Sequence, residues 1–214
     1  MPGWSTLPAC LSGGADMAAF IALEGLDGVG KSTLVKGLAE HFAGVAMSTP
    51  GDALAQARPH VLTAFAHDEL AKALFYAASV SSQGNAARRQ VEQGHWVVMD
   101  RYWASTIAYA KSRGVVADLK SLSRHFPVPD LTILVHLDED ERRARLFNRG
   151  ATPEDLETLN PAFRNRVFAD LQKRCDGMTD VSGLGVADAV RKLVSYINST
   201  LSSPPVDAAS APSN

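Results

Sequence analysis

Residues 20–42, "FIALEGLDGVGKSTLVKGLAEHF", decide the fold. The first five, Phe20–Glu24, form an apolar run without alternation, the pattern of a parallel strand buried on both faces. From Lys31 the pattern turns helical, with Leu34, Leu38 and Phe42 on one face. Between strand and helix, Gly25-Leu-Asp-Gly-Val-Gly30-Lys31-Ser32 fits G-x-x-x-x-G-K-[ST], the phosphate-binding loop. Glycines at this spacing let successive backbone N–H groups approach phosphate oxygens, and the following helix adds its positive dipole end. Gly25, Gly28, Gly30, Lys31, Ser32 and Thr33 are therefore candidate nucleotide-binding residues. Lys31 suits the β/γ phosphates of ATP, and the Ser32 hydroxyl suits Mg²⁺. The preceding strand and the following helix separate this loop from a chance glycine-rich turn.

Outward from this loop, strands are predicted at 45–47, 96–99, 131–137 and 178–181. Helices are predicted at 68–93 (with a break at Gly84), 140–148, 162–174 and 188–201. Strands alternating with helices predict an α/β fold: a parallel sheet of about five strands covered by helices on both faces. Ligands in such folds bind beyond the carboxyl ends of the strands.

At 214 residues and 46% hydrophobic, the chain is long enough for one sizeable core. A formal charge of −2 leaves no global basic field for nucleic acid. No apolar run approaches the roughly 18 residues of a membrane span. The only cysteines, Cys10 and Cys175, suggest neither a disulfide framework nor a zinc site, and the reading is cytoplasmic. Residues 1–17 read as a loose leader with Met17 as an alternative start, 18–201 as the folded domain, and the Pro/Ser/Ala-rich 202–214 as a disordered tail.

A second constellation, Asp100-Arg101-Tyr102, ends the strand "HWVVM". A carboxylate there can hold Mg²⁺, and an adjacent guanidinium offers a planar fork for a second phosphate. Here the sequence resembles thymidylate kinases. The resemblance rests on "FIALEGLDGVGKST" (20–33), "FYAASV" (75–80), "DRYWASTIAY" (100–109), "PDLTILVHLD" (129–138) and "RRARLFNRG" (142–150), in the family's order. It implies a P-loop NTPase fold, a nucleoside monophosphate kinase activity using ATP and Mg²⁺, and a lid around 145–157. Small nucleotides would be its partners, with a homodimer by analogy only.

The resemblance assigns roles position by position. Lys31, Arg101 and Arg149 would gather charge around the migrating phosphoryl group. Ser32 and Asp100 would hold the metal. Asp27 would lie near the sugar and phosphate of the acceptor, Phe75 would stack on its base, and Ser79, Ser105 and Tyr109 would line its pocket. Arg145 would meet adenine and phosphate from the lid side. Arg142 and Arg143 better fit a solvated helix face with i,i+4 pairs. Gly28 stands where some family members carry an arginine, which throws more weight on the lid arginines. A phosphate acceptor is already largely dianionic at neutral pH, so no general base is required, and no His or Glu accompanies the "DRY" stretch.

The departures fall on the acceptor side. Ser79 replaces an arginine that reads thymine, "STPGDA" replaces a "REPGGT"-like turn with Ser48 and Thr49 where a charged pair is common, and Ala110 replaces a glutamine. Arg58 is a candidate for a family arginine that contacts the acceptor phosphate. The acceptor base and sugar therefore stay open. One alternative is a P-loop kinase acting on a nucleoside or small alcohol, which needs a carboxylate base from among Asp27, Asp52 and Asp100. Another is a nucleotide-binding module without turnover.

Overall fold

A computed structural model describes residues 18–202; the leader expected over 1–17, with its alternative start, and the tail beyond residue 202 lie outside the described residues. Strand β1 (Phe20–Glu24) is buried along its whole length. Its side chains alternate between two cores. Ile21 and Leu23 face a larger cluster with Leu34, Leu38, Val98, Ile133 and Leu193. Phe20 and Ala22 face a second cluster with Val80, Val97, Met99 and Tyr102. Phe20–Leu23 are apolar because both faces of a central parallel strand are covered, and Glu24 ends the strand as a buried carboxylate.

Strands β2 (Val45–Ser48), β3 (Val97–Asp100), β4 (Leu131–His136) and β5 (Gly177–Asp180) complete one sheet in the order β2-β3-β1-β4-β5. Every neighbouring pair is parallel. Helix α1 (Lys31–His41) follows the loop after β1 and buries Leu34, Val35 and Leu38. Three expected helices appear as α6 (Glu139–Arg149), α8 (Pro161–Gln172) and α9 (Val186–Leu201), their ends shifted by a residue or two. Four short or apolar elements were not expected: α2 (Asp52–Ala55), α3 (Arg58–Ala64), α5 (Trp103–Ser112) and α7 (Pro153–Glu157). A 3-10 turn at Leu119–His125 adds a fifth.

The expected break at Gly84 is absent. Helix α4 runs through it from Glu69 to Glu92. Gly84 is there because the Tyr102 ring lies against the helix, and a Cβ at 84 would collide with its phenol oxygen. Tyr102 Oη in turn donates to Pro127 O at 2.8 Å, and its ring meets Phe20 edge-on at 5.2 Å between centroids. The glycine thus fixes how closely the start of α5 approaches α4. Gly84→Ala should lower the stability measured by urea unfolding by about 1–3 kcal/mol, although alanine is the better helix former. Removing the phenol oxygen as well, with Tyr102→Phe, should recover part of that loss.

Candidate active site

The register of β1 and β3 pairs Leu23 with Asp100. The loop after β1 and the "DRY" segment after β3 consequently emerge side by side. In the first loop Gly25 has φ 152°, and a Cβ there would sit 2.7 Å from Val135 O on β4. Gly28 has φ 91°, and its Cβ would sit 2.8 Å from Leu146 Cγ on α6. Side chains at these positions are excluded by left-handed backbone and by close cover together. Gly30, also at positive φ, is the N-cap of α1.

Lys31 is buried and donates from Nζ to Leu26 O at 2.8 Å. Burial, then the nearby Arg101 charge, lowers its pKa to about 8, with Asp100, Asp27 and Glu24 opposing. Ser32 Oγ donates to the Asp100 carboxylate at 2.5 Å. Thr33, in the first turn of α1, is exposed. Among the described residues, no group of three or more His, Cys, Asp or Glu side chains can hold a metal by itself. One carboxylate and one hydroxyl in contact are nevertheless the hard-oxygen donor set that suits Mg²⁺, which keeps waters and takes further ligands from phosphates.

Arg101 occupies left-handed backbone, φ 63°, unusual for a residue with a side chain. Its N–H bonds Leu23 O at 3.0 Å, and its carbonyl accepts from Thr49 Oγ1 at 3.1 Å. The guanidinium donates to Asp27 at 2.5 Å and to Ser105 Oγ at 2.9 Å, and stacks over the Tyr109 ring at 5.2 Å. Tyr109 Oη donates to the second Asp27 oxygen at 2.8 Å. Burial alone would raise the Asp27 pKa, but Arg101 and then Lys31 outweigh it and hold the carboxyl well below its ordinary value. Burial opposes the Arg101 charge as well; Asp27 chiefly overcomes it, and the Arg101 pKa lies well above its ordinary value. Burial pushes the Tyr109 hydroxyl up. With both oxygens committed, Asp27 is a poor proton acceptor, and Asp52 is exposed at the start of α2.

Beside this pair opens a cavity of about 830 Å³. Asp27, Asp100, Arg101, Ser105 and Tyr109 line it, as do Ser48, Thr49 and Ala110. Phe75 and Ser79 are not among its lining residues. Ser79 is buried and donates to Phe75 O at 2.9 Å within α4. The aromatic ring that α4 does give to the cavity is Tyr76, whose hydroxyl accepts from Arg58 Nε at 2.9 Å. Arg113 lies at the same wall, over the Tyr109 ring at 5.4 Å and bound to Glu157 of α7 at 2.6 Å. Sequence reading missed Tyr76 and Arg113; the i,i+4 spacing from Tyr109 was the available signal for Arg113, and Tyr76, next to Phe75, had none.

The assignment of Arg142 to a solvated face is overturned. The residue is fully buried. It binds both Glu139 oxygens at 2.7 and 2.9 Å, Asp27 O in the phosphate loop at 2.8 Å, and Thr158 Oγ1 and O at 3.0 Å each. A planar fork with five donors is the one side chain that can tie α6, the loop and the segment after α7 at once. Arg145 reaches Val29 O at 3.3 Å and so lies over the loop. Arg149 points instead to Asp155 Oδ1 at 2.6 Å, the acid of the Thr152–Asp155 capping box.

Two consequences can be measured. Arg142→Ala strips the phosphate loop of a buried anchor and should lower unfolding stability by about 3–5 kcal/mol in denaturant titrations. Asp27 has a folded pKa below its unfolded value, so its contribution is present above about pH 4 and is lost as pH falls further. Wild type should therefore lose more stability than Asp27→Asn between about pH 4 and pH 2, read as the shift in thermal midpoint.

This geometry has relatives. The thymidylate kinase family model matches residues 23–179. A thymidylate kinase of Leifsonia xyli subsp. xyli is 34% identical over 164 residues, covering 70% of this chain and 78% of the relative. A probable thymidylate kinase of Methanococcus maripaludis is 29% identical over 183 residues, covering 85% and 92%. Among solved structures, the thymidylate kinase of Candida albicans matches with TM-score 0.69 at 20% identity, over 86% of this chain and 93% of that one. The last likeness is one of fold; the first two extend it to sequence. With a family match that runs from the phosphate loop to β5, the chain belongs to the thymidylate kinase family.

Proposed function

We propose that this enzyme moves the γ-phosphoryl group of ATP to the phosphate of dTMP, or of a closely related deoxynucleoside monophosphate, to give the diphosphate. One observation carries the reading: Lys31, the Ser32–Asp100 pair and the Asp27–Arg101 pair converge where β1 and β3 end, at the mouth of a nucleotide-sized cavity. Two anion-binding groups at adjacent strand ends suit two phosphate chains meeting in line.

In this reading the loop amides and Lys31 bind the donor phosphates. Arg101 holds the acceptor phosphate, and Asp27 and Ser105 aim its guanidinium. Ser32 and Asp100 would hold Mg²⁺, which would supply charge neutralisation to the phosphates. The acceptor needs no general base, because its phosphate is already largely dianionic near neutral pH. That matches a pocket in which Asp27 is committed to Arg101 and Tyr109. Arg145 lies over the loop on the donor side, and Arg149 would have to leave Asp155 to join it on closure of the 145–157 lid. Ser48, Tyr76 and Tyr109 line the cavity together with the charged Arg58, Glu69, Lys72 and Arg113, so base choice would rest on stacking and on both neutral and charged hydrogen-bonding groups. The enzyme would work in the cytoplasm on small diffusible nucleotides.

ADP release should be measured with Mg²⁺-ATP and a panel of monophosphates, nucleosides and small alcohols. Turnover is expected with dTMP or dUMP. Transfer only to a hydroxyl, or ATP binding without turnover on any acceptor, overturns the reading. Lys31→Ala should lower turnover by about a hundredfold or more with the fold intact by circular dichroism.

A further inference from the structure

Glu24 ends β1 and precedes the phosphate loop. No nucleotide-binding motif assigns it a role, yet it is fully buried. Its surroundings explain how a carboxylate is tolerated there. Oε1 accepts the backbone N–H of Tyr102 at 2.9 Å and that of Ser105 at 3.1 Å. Tyr102 is the N-cap of α5 and makes no side-chain cap of its own. A carboxylate from the neighbouring strand thus satisfies two N–H groups at the start of that helix and meets its positive dipole end. Oε2 accepts the hydroxyl proton of Ser105.

The last bond has a directional consequence. A serine hydroxyl has one proton and two lone pairs. Given to Glu24, the proton cannot point elsewhere, and a lone pair is left for Arg101, whose Nη1 donates to Ser105 Oγ at 2.9 Å. Arg101 itself sits on left-handed backbone and is not held in place by local preference. Its aim depends on Asp27 from one side and on the Glu24–Ser105 relay from the other. Swapping the acid for its amide would keep the size and the Oε1 acceptor. It would also place an N–H donor against Ser105 Oγ, leave the serine proton without its acceptor and remove a negative charge behind Arg101.

We propose that Glu24 is a positioning residue for the acceptor phosphate: acting through Ser105, it fixes the orientation of the Arg101 guanidinium. This rests on the phosphotransfer reading above, in which Arg101 meets that phosphate. Lys31 and the donor loop make no hydrogen bond to Glu24 or Ser105, and Glu24 is the weakest of the three acids that act on Lys31 through space, so the effect falls chiefly on the acceptor. A merely structural acid would instead lower the thermal midpoint and disturb both substrates alike.

The experiment measures KM for the acceptor monophosphate and for ATP, kcat, and the thermal midpoint, in full-length wild type, Glu24→Gln, Ser105→Ala and the double variant. Glu24→Gln should raise the acceptor KM by about tenfold or more while the ATP KM stays within about twofold. Ser105→Ala, the milder change to the fold, should shift the acceptor KM in the same direction. The double variant should be no worse than the poorer single, because both act through one relay. An acceptor KM within about twofold of an active wild type in both singles overturns the inference and leaves the phosphotransfer reading standing. Equal loss for both substrates, or additive effects in the double variant, overturns it too. A wild type that binds ATP but neither binds nor phosphorylates any monophosphate removes the phosphotransfer reading, and this inference with it.

Discussion

The parallel pairing of β1 with β3 is the constraint on which the rest depends. Its register sets Leu23 opposite Asp100. Each strand then ends in a loop carrying charge, and the two loops cannot separate without breaking the centre of the sheet. Two 2.5 Å contacts then join the β1 side to the β3 side: Ser32, at the start of α1, to Asp100, the last residue of β3, and Asp27 in the first loop to Arg101 in the second. A rigid ladder of backbone hydrogen bonds thereby fixes the spacing of the two clusters for which phosphate binding is proposed. Phosphoryl transfer, which relies on positioning more than on covalent chemistry, benefits from that rigidity directly.

Three buried charged side chains surround these loops, Glu24 and Arg142 committed to several partners and Lys31 to one. Glu24 closes the start of α5 from below, Arg142 ties the phosphate loop to α6 and to Thr158, and Lys31 folds against its own loop. Isolated, any of them would be strongly unfavourable. Paired and hydrogen-bonded, they specify one geometry of the loops over near alternatives. The segment around α7 is built by the same means: Arg149 to Asp155 and Arg113 to Glu157 hold α7 against α6 and α5. Those bonds lie nearer the surface than the Arg142 cluster.

Much of the site was legible before any coordinates. Gly25, Gly28, Gly30, Lys31 and Ser32 form a contiguous motif whose function follows from local backbone geometry. Asp100 and Arg101 were visible because they end an apolar run. Phe75 and Ser79, expected at the acceptor pocket, do not line the cavity, since helical phase relative to a cavity depends on how α4 is rotated against α5. That rotation is set by Gly84 packing on Tyr102, a contact between residues eighteen positions apart. Arg142 was misread for a related reason. In "DERRAR" charge alone suggests solvent, and only the arrival of Thr158 and the Asp27 carbonyl makes a buried arginine favourable.

What the sequence determined by itself is what short-range chemistry encodes: the apolar strands, the glycine-rich loop of the phosphate-binding motif, and the alternation that makes the sheet parallel. Tertiary structure alone decided which side chains line the cavity and which acids serve arginines rather than solvent. Hydrogen-bond partners such as Glu24 and Ser105 are eighty-one residues apart, and their pairing follows from strand register, which no local pattern carries.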